Sequence, residues 1–268
     1  MDLKLQKTLE NCLEKANHAA EKAANILLSY YNKKESLSIE SKQVSFDLIT
    51  KADKESEKVI ISIIEENFPE HSILAEESGQ KTAHDNEFLW IIDPIDGTTN
   101  FAHGYPVFCI SIALFHKGQA TLALVKDPTR NETFTAIKGM GAFLNSKPIH
   151  VSETKTIKES LLVTGFPYSK FDDQRNNYER FSKLTHMCRG VRRTGSAALD
   201  LCYVAAGKFD AYWEETIKIW DIAAGILLLS EAGGHFSHYS GSEYDPENGQ
   251  ILASNGLLHK EMIEALKL

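Results

Sequence analysis

Between residues 5 and 28, Leu5, Leu9, Cys12, Leu13, Ala16, Ala20, Ala23, Ala24 and Leu27 recur at spacings of three and four. That period lays one apolar stripe along a helix and predicts a long amphipathic helix at the start of the chain. Asp47 to Asp53 (DLITKAD) leads into a second helical pattern from Lys54 to Asn67, where Val59, Ile60, Ile63 and Ile64 line one face until Pro69 forbids continuation. The pattern then changes to short continuous apolar runs, Phe88 to Ile92 (FLWII), Val107 to Phe115 and Ala120 to Val125, the last two broken at Lys117-Gly118. Their β-branched and aromatic content predicts strands of one buried sheet.

Beyond Gly139 to Pro148 the pattern shifts again. Leu161 to Gly165 and Phe209 to Glu214 read as strands, Asn176 to Met187 and Ser196 to Ala206 as helices, the latter closed by Gly207. Asp221 to Ala232 (DIAAGILLLSEA) is apolar nearly all round and ends at Gly233-Gly234, which predicts a buried helix with a glycine C-terminal cap and Asp221 as its N-cap. No internal repeat or low-complexity linker separates the halves. The change of pattern near residue 150 is the one boundary suggested, dividing an N-terminal half, 1–150, from a C-terminal half, 151–268.

Composition narrows the class. With 268 residues, 43% of them hydrophobic, the chain can bury a large core, and a disordered reading is excluded. Lysine plus arginine number 29 against 37 acids, a net charge of −8, and no long basic run marks a dedicated nucleic-acid surface. The four cysteines, Cys12, Cys109, Cys188 and Cys202, show no CxxC pairing, so reduced thiols are expected. No signal-peptide order opens the chain and no apolar run is long enough to span a bilayer. A soluble cytoplasmic protein is the expectation.

The segment richest in chemistry is Trp90 to Phe101, WIIDPIDGTTNF, where an apolar strand runs into two aspartates, a glycine and two threonines. Carboxylates at the mouth of a buried strand lose hydration unless a partner compensates, and a divalent cation is one such partner. Hard magnesium selects carboxylate, carbonyl and water oxygens, and Pro94 helps turn the chain so that Asp93, Asp96 and the carbonyl of Ile95 could face one ion. Gly97 permits close backbone approach, and the amides of Gly97 and Thr98, if they open a helix, would donate to a phosphate.

Other phosphatase chemistries fail on spacing. A phospho-cysteine enzyme needs CxxxxxR, but the residue six beyond Cys188 is Thr194, and the other cysteines also lack the arginine. A phospho-aspartate enzyme uses DxDxT, whereas Ile95 stands two beyond Asp93. Neither GxxxxGK nor GxSxG is present, which leaves water activated by metal.

DPIDGTTNF, with AEESG at Ala75 to Gly79 and WDIAAG at Trp220 to Gly225, resembles the inositol monophosphatase family. DLITKAD, GMGAFLN, RRTGSAALDLCYVAAG and FDAYWE extend the resemblance, in the family's order, over most of the chain. The resemblance implies an α/β (α+β) fold, a layered αβαβα sandwich with its site between the halves. It implies two or three Mg²⁺ ions. Asp93 would bridge two of them, Glu76 and the carbonyl of Ile95 would complete the first, and Asp96 and Asp221 would hold the second, with a third, weaker ion near Glu76. Thr98 and Asp53 would align the attacking water, which Glu76 helps orient, and Lys42 would lie in a mobile loop over the site. Gly97, Thr98, Gly195, Ser196, Ala197, Glu214 and Asp221 would bind substrate, Glu214 accepting hydrogen bonds from ring hydroxyls beside Tyr212 and Trp213. Ile219 departs from the family, where proline is common before Trp220.

A magnesium-dependent, lithium-sensitive phosphatase acting on inositol monophosphate or a similar polyol phosphate is therefore implied. Related folds act on fructose bisphosphate, NADP, histidinol phosphate and nucleotide 3′-phosphates, and these stand as alternative substrates. A homodimer is implied too. RRTGSAALD and DPTRNETFTA also resemble a bacterial branch linked to RNA-polymerase antitermination, which makes Arg192 and Arg193 candidate polymerase contacts, or equally dimer or salt-bridge residues. His235 and His238 form an HxxH pair without HExxH context and are expected at the surface rather than on zinc.

Overall fold

The apolar stripe at the start of the chain forms α1 (Leu3–Tyr31) in a computed structural model that describes residues 2–31, 39–41, 48–82, 87–166, 177–246 and 248–267. A two-stranded antiparallel ribbon follows, β1 (Ile39–Ser41) and β2 (Leu48–Thr50), and β2 runs directly into α2 (Lys51–Asn67). That helix begins at Lys51 rather than Lys54, which puts Asp53 inside its first turn, where the helix dipole favours an acid. Lys42 lies outside the described residues.

Next come β3 (Ser72–Ala75), β4 (Gly79–Lys81), β5 (Phe88–Asp96), the short α3 (Thr98–His103), β6 (Cys109–His116), β7 (Gln119–Asp127), β8 (Glu132–Ile137), β9 (Ala142–Leu144) and β10 (Lys147–Pro148). Their strands build one eight-stranded sheet in the order β10-β9-β8-β7-β6-β5-β3-β4, antiparallel except where β3 and β5 run parallel. The remaining chain supplies β11 (Leu161–Thr164), α4 (Tyr178–Met187), β12 (Gly190–Arg192), α5 (Ala197–Ala205), β13 (Ala211–Glu214), α6 (Ile219–Glu231), β14 (His235–Ser237), β15 (Ile251–Ser254) and α7 (His259–Leu266). These strands form a five-stranded sheet, β12-β11-β13-β15-β14.

Four apolar clusters bind the layers. Leu9, Cys12 and Leu27 of α1 and Ile60 and Ile64 of α2 pack on Trp90, Ile92 and Ile112 of the large sheet. Its other face, through Ile91, Ala123 and Val125, meets Ala198, Leu199, Ala223 and Leu228 of α5 and α6. The far side of those two helices, Leu201, Ile222 and Ile226, packs on Val163, Tyr212 and Ala253 of the small sheet. Leu184 of α4 and Met262 of α7 close its outer face against Trp213 and Leu252. The result is the αβαβα sandwich. It also explains why β5 reads as a continuous apolar run and α6 as apolar all round, since each is covered on both sides.

Candidate active site

The site begins with an irregularity in β5. Asp93 pairs with Ser111 and Asp96 with Cys109, so between them β5 carries one residue more than β6, a β-bulge at Pro94. In a regular strand residues three apart point to opposite faces. The extra residue reverses that parity and turns both aspartates to one side, and proline is tolerated at a bulge because it has no N–H to lose from the ladder. The Asp93 carboxylate fixes the turn by accepting the Ile95 N–H at 2.9 Å.

Asp221 arrives from α6. It stands at the third helical position, because the helix starts at Ile219 and not at Asp221 as expected, and its carboxylate accepts the N–H of Lys218 at 3.0 Å. Asp221 is therefore a capping-box acid rather than the N-cap, three residues further into the helix, and its side chain reaches back toward β5. One carboxylate oxygen each from Asp93, Asp96 and Asp221 lie within 4.8 Å of one another, the one such acidic trio among the described residues.

Burial is the main force on these groups. It raises Asp93, and the charges of Glu76, Asp96, Asp221 and Asp53 raise it further. Burial likewise raises Asp221, reinforced by Asp96 and Glu76. It pushes Asp96 up to about 6 against the pull of its donors. Those donors are Ser196 Oγ at 2.6 Å, the Ala198 N–H at 2.7 Å and, more weakly, Cys109 Sγ at 3.9 Å. Three crowded, mostly buried carboxylates that repel one another fit a hard divalent cation, which would restore their ionised state and satisfy their oxygens.

The other expected residues surround this trio. Glu76 is outside it, half-buried just beyond β3, with its N–H donated to the Ile92 carbonyl at 3.1 Å. Asp53 is buried on α2. The Ile95 carbonyl accepts the Thr98 hydroxyl at 3.0 Å. Gly97 precedes α3 at φ 98°, and a Cβ there would stand 2.9 Å from the Val107 carbonyl, so conformation and space both demand glycine.

Opposite them, Gly195 turns the chain into α5, where Ser196 is the N-cap, accepting the Leu199 N–H while donating to Asp96. Ala197 opens the helix at the cleft wall. Glu214 closes β13 and accepts the Tyr212 hydroxyl at 2.5 Å. Burial pushes its carboxyl up to about 7, with Tyr212 and Arg193 pulling the other way. The cleft is lined by, among others, Asp96, Phe166, Arg193, Asp200, Glu214 and Asp221.

Some expectations need correction. Tyr212 and Trp213 are fully buried and do not line the cleft: Tyr212 supports Glu214 from within, and Trp213 faces the outer layer, its indole N–H donated to Asn177 at 2.7 Å. His238 is half-buried, Nδ1 against Ser240 at 2.8 Å, and only His235 is exposed. Asp200 and Phe166 were not foreseen. Asp200, buried one turn into α5 and bonded to the Thr194 hydroxyl at 2.5 Å, was legible as the acid of GSAALD, while Phe166 carries no local mark. Its ring packs under Arg193, 5.7 Å from centroid to guanidinium.

The model of the inositol monophosphatase family matches residues 8–267. The chain belongs to the inositol monophosphatase family. Phosphoric monoester hydrolysis is that family's reaction. An inositol-1-monophosphatase from Synechocystis sp. is 48% identical over 258 residues, 96% of this chain and 89% of the relative. A solved inositol monophosphatase from Anabaena (Nostoc) sp. is 45% identical with a TM-score of 0.86, covering 98% of this chain and 96% of that one. The Nus factor SuhB of Escherichia coli is 41% identical over 252 residues, 94% of each chain. The four cysteines are free, and no described helix is long and apolar enough to cross a membrane.

Proposed function

We propose that this inositol monophosphatase family member hydrolyses inositol monophosphate, or a closely similar polyol phosphate, with Mg²⁺ as the cation. The observation carrying the reading is the convergence of Asp93, Asp96 and Asp221 at a cleft whose far wall holds Glu214. Asp93, Asp96 and Asp221, with Glu76 and the Ile95 carbonyl, would hold the ions. When bound, Mg²⁺ supplies an activated water, charge neutralisation at the phosphate oxygens and stabilisation of the departing alkoxide.

The protein's own residues do the rest. Thr98 and Asp53 orient the attacking water, and Glu76 accepts a hydrogen bond from it. The amides of Gly97 and Thr98 donate to the phosphate, which seats phosphorus in line with that water. Gly195, Ser196 and Ala197 form one side of the ring site and Glu214 the other, accepting polyol hydroxyls. Buried acceptors of this kind reject analogues lacking the matching hydroxyl, because the carboxylate would be left unpaired. In this reading residues 1–150 supply Glu76, Asp93 and Asp96 and residues 151–268 supply Asp221 and the substrate wall.

The same reading includes inhibition by lithium, a homodimer and a cytoplasmic location. A second role is favoured by the likeness to Nus factor SuhB: contact with RNA polymerase through the surface around Arg192 and Arg193. The test is a panel of inositol 1-phosphate, fructose 1,6-bisphosphate, NADP and histidinol phosphate assayed with purified protein and Mg²⁺. Inositol 1-phosphate should give the highest kcat/KM, and preference for another ester would replace the substrate proposed here. Asp93→Asn should abolish phosphate release while sparing any co-purification of polymerase.

A further inference from the structure

Glu57 belongs to none of the roles above, yet it is the buried acid one turn beyond Asp53 on the same face of α2, 4% exposed. Its carboxylate is bidentate to main chain: one oxygen accepts the N–H of Glu77 at 2.8 Å and the other the N–H of Ser78 at 2.9 Å. Those amides belong to the tight turn between β3 and β4, which pair antiparallel from Ala75 with Gly79 outward. Gly79 closes the turn at φ 78°. The preceding amide, that of Glu76, is held by the Ile92 carbonyl, next to Asp93. Three successive amides are thus anchored, one to β5 and two to a single side chain of α2.

From this geometry we infer that Glu57 is a positioning residue for Glu76, clamping its turn to the helix that carries Asp53. The inference rests on the catalytic reading above. Its physical content is that two charge-assisted hydrogen bonds replace the mobility expected of a short exposed turn. Glu76 and Asp53 then approach the Asp93 trio as one rigid unit. Without the clamp, two turn amides lose their acceptors and the Glu76 carboxylate samples positions away from the trio. Gln at this position keeps the size but offers one acceptor oxygen and presents an NH₂ to the second amide, so it removes about half of the clamp.

The experiment compares Glu57→Gln and Glu57→Ala with wild type, with Leu266→Ala in α7 as a remote destabilised control. Three quantities are read: Mn²⁺ affinity by electron paramagnetic resonance of the free ion, steady-state kinetics on inositol 1-phosphate, and hydrogen exchange of the Glu77 and Ser78 amides in metal-free protein. Glu57→Ala should weaken Mn²⁺ binding by about 10–100-fold, as loss of a group that orients a ligand does. It should lower kcat with KM for the ester within about twofold, and speed exchange of both amides, with Glu57→Gln between it and wild type. Wild-type Mn²⁺ affinity in both variants, with only the thermal midpoint lowered as in Leu266→Ala, would overturn the inference. Asp93→Asn separates the two layers: retained turnover and Mn²⁺ affinity there would sink the catalytic reading, whereas their loss beside unaffected Glu57 variants would sink only the clamp.

Discussion

Asp93→Asn should inactivate the enzyme and at the same time stabilise its metal-free form. One carboxylate oxygen from each of Asp93, Asp96 and Asp221 lies within 4.8 Å of the other two. At that separation and an effective dielectric of about 20, each fully ionised pair repels by about 3.5 kcal/mol. The acids relieve part of this by holding protons, so the relief from removing Asp93 is about 1–3 kcal/mol. The amide keeps the one local contact that matters, because its carbonyl can still accept the Ile95 N–H. The cost of burying these acids also has a pH signature. Asp96, pushed from 3.8 up to about 6, favours the folded state at low pH and loses that contribution as pH rises through about 6. Metal-free wild type should therefore weaken from pH 4 to 7, and Asp93→Asn should weaken less. Urea unfolding in EDTA at pH 7 measures the difference, and repetition in Mg²⁺ completes the cycle. At a hundredfold excess over Kd, wild type should gain about 2.7 kcal/mol, and the variant much less. A variant equal to or less stable than wild type in EDTA would mean that these charges do not crowd one another, and the electrostatic account of the site would fail.

Other outcomes follow from single contacts. A Cβ on Gly165 would overlap the Glu214 carboxyl group, so Gly165→Ala should displace Glu214 and lower kcat/KM for inositol 1-phosphate by about 10–100-fold, in line with 1–3 kcal/mol for a lost buried hydrogen bond. Turnover of para-nitrophenyl phosphate, which has no ring hydroxyls, should change little, and equal losses on both esters would contradict the role given to Glu214. Ser196→Ala removes both a donor to Asp96 and the N-cap of α5; denaturant titration should show a loss of about 2–4 kcal/mol, and a loss below about 0.5 would refute the double role. His259, lowered from 6.5 to about 4 by burial and then by His235, lies between Ser237 and Ser254 at 2.8 and 2.9 Å. Its depressed pKa contributes stability above pH 6.5 that is lost as pH falls toward 4, at most about 3 kcal/mol and nearer 2 after solvent screening. An NMR titration placing His259 at or above 6.5 would remove that contribution.

Much of this protein was written in local patterns. The stripe of Leu9, Cys12, Ala16 and Ala23 fixes α1 because a 3.6-residue period admits one apolar face. The runs from Phe88 and Cys109 mark central strands because apolar residues on both faces need cover on both sides. DPIDGT announced its chemistry because carboxylates beside buried apolar chain demand compensation. The short elements β4, β12 and β14 were not legible, since each holds at most one apolar residue and acquires its state only from a neighbour. Nor could the sequence alone bring Asp96 to Ser196, one hundred residues away, or aim Asp221 at β5. Those meetings depend on the bulge at Pro94, which reverses side-chain parity, and on α5 and α6 being held between two sheets. Spacing along the chain decides which groups are present, and packing between layers decides which of them share a cavity, because contacts between distant segments form only when both sheets bury their faces on the same pair of helices.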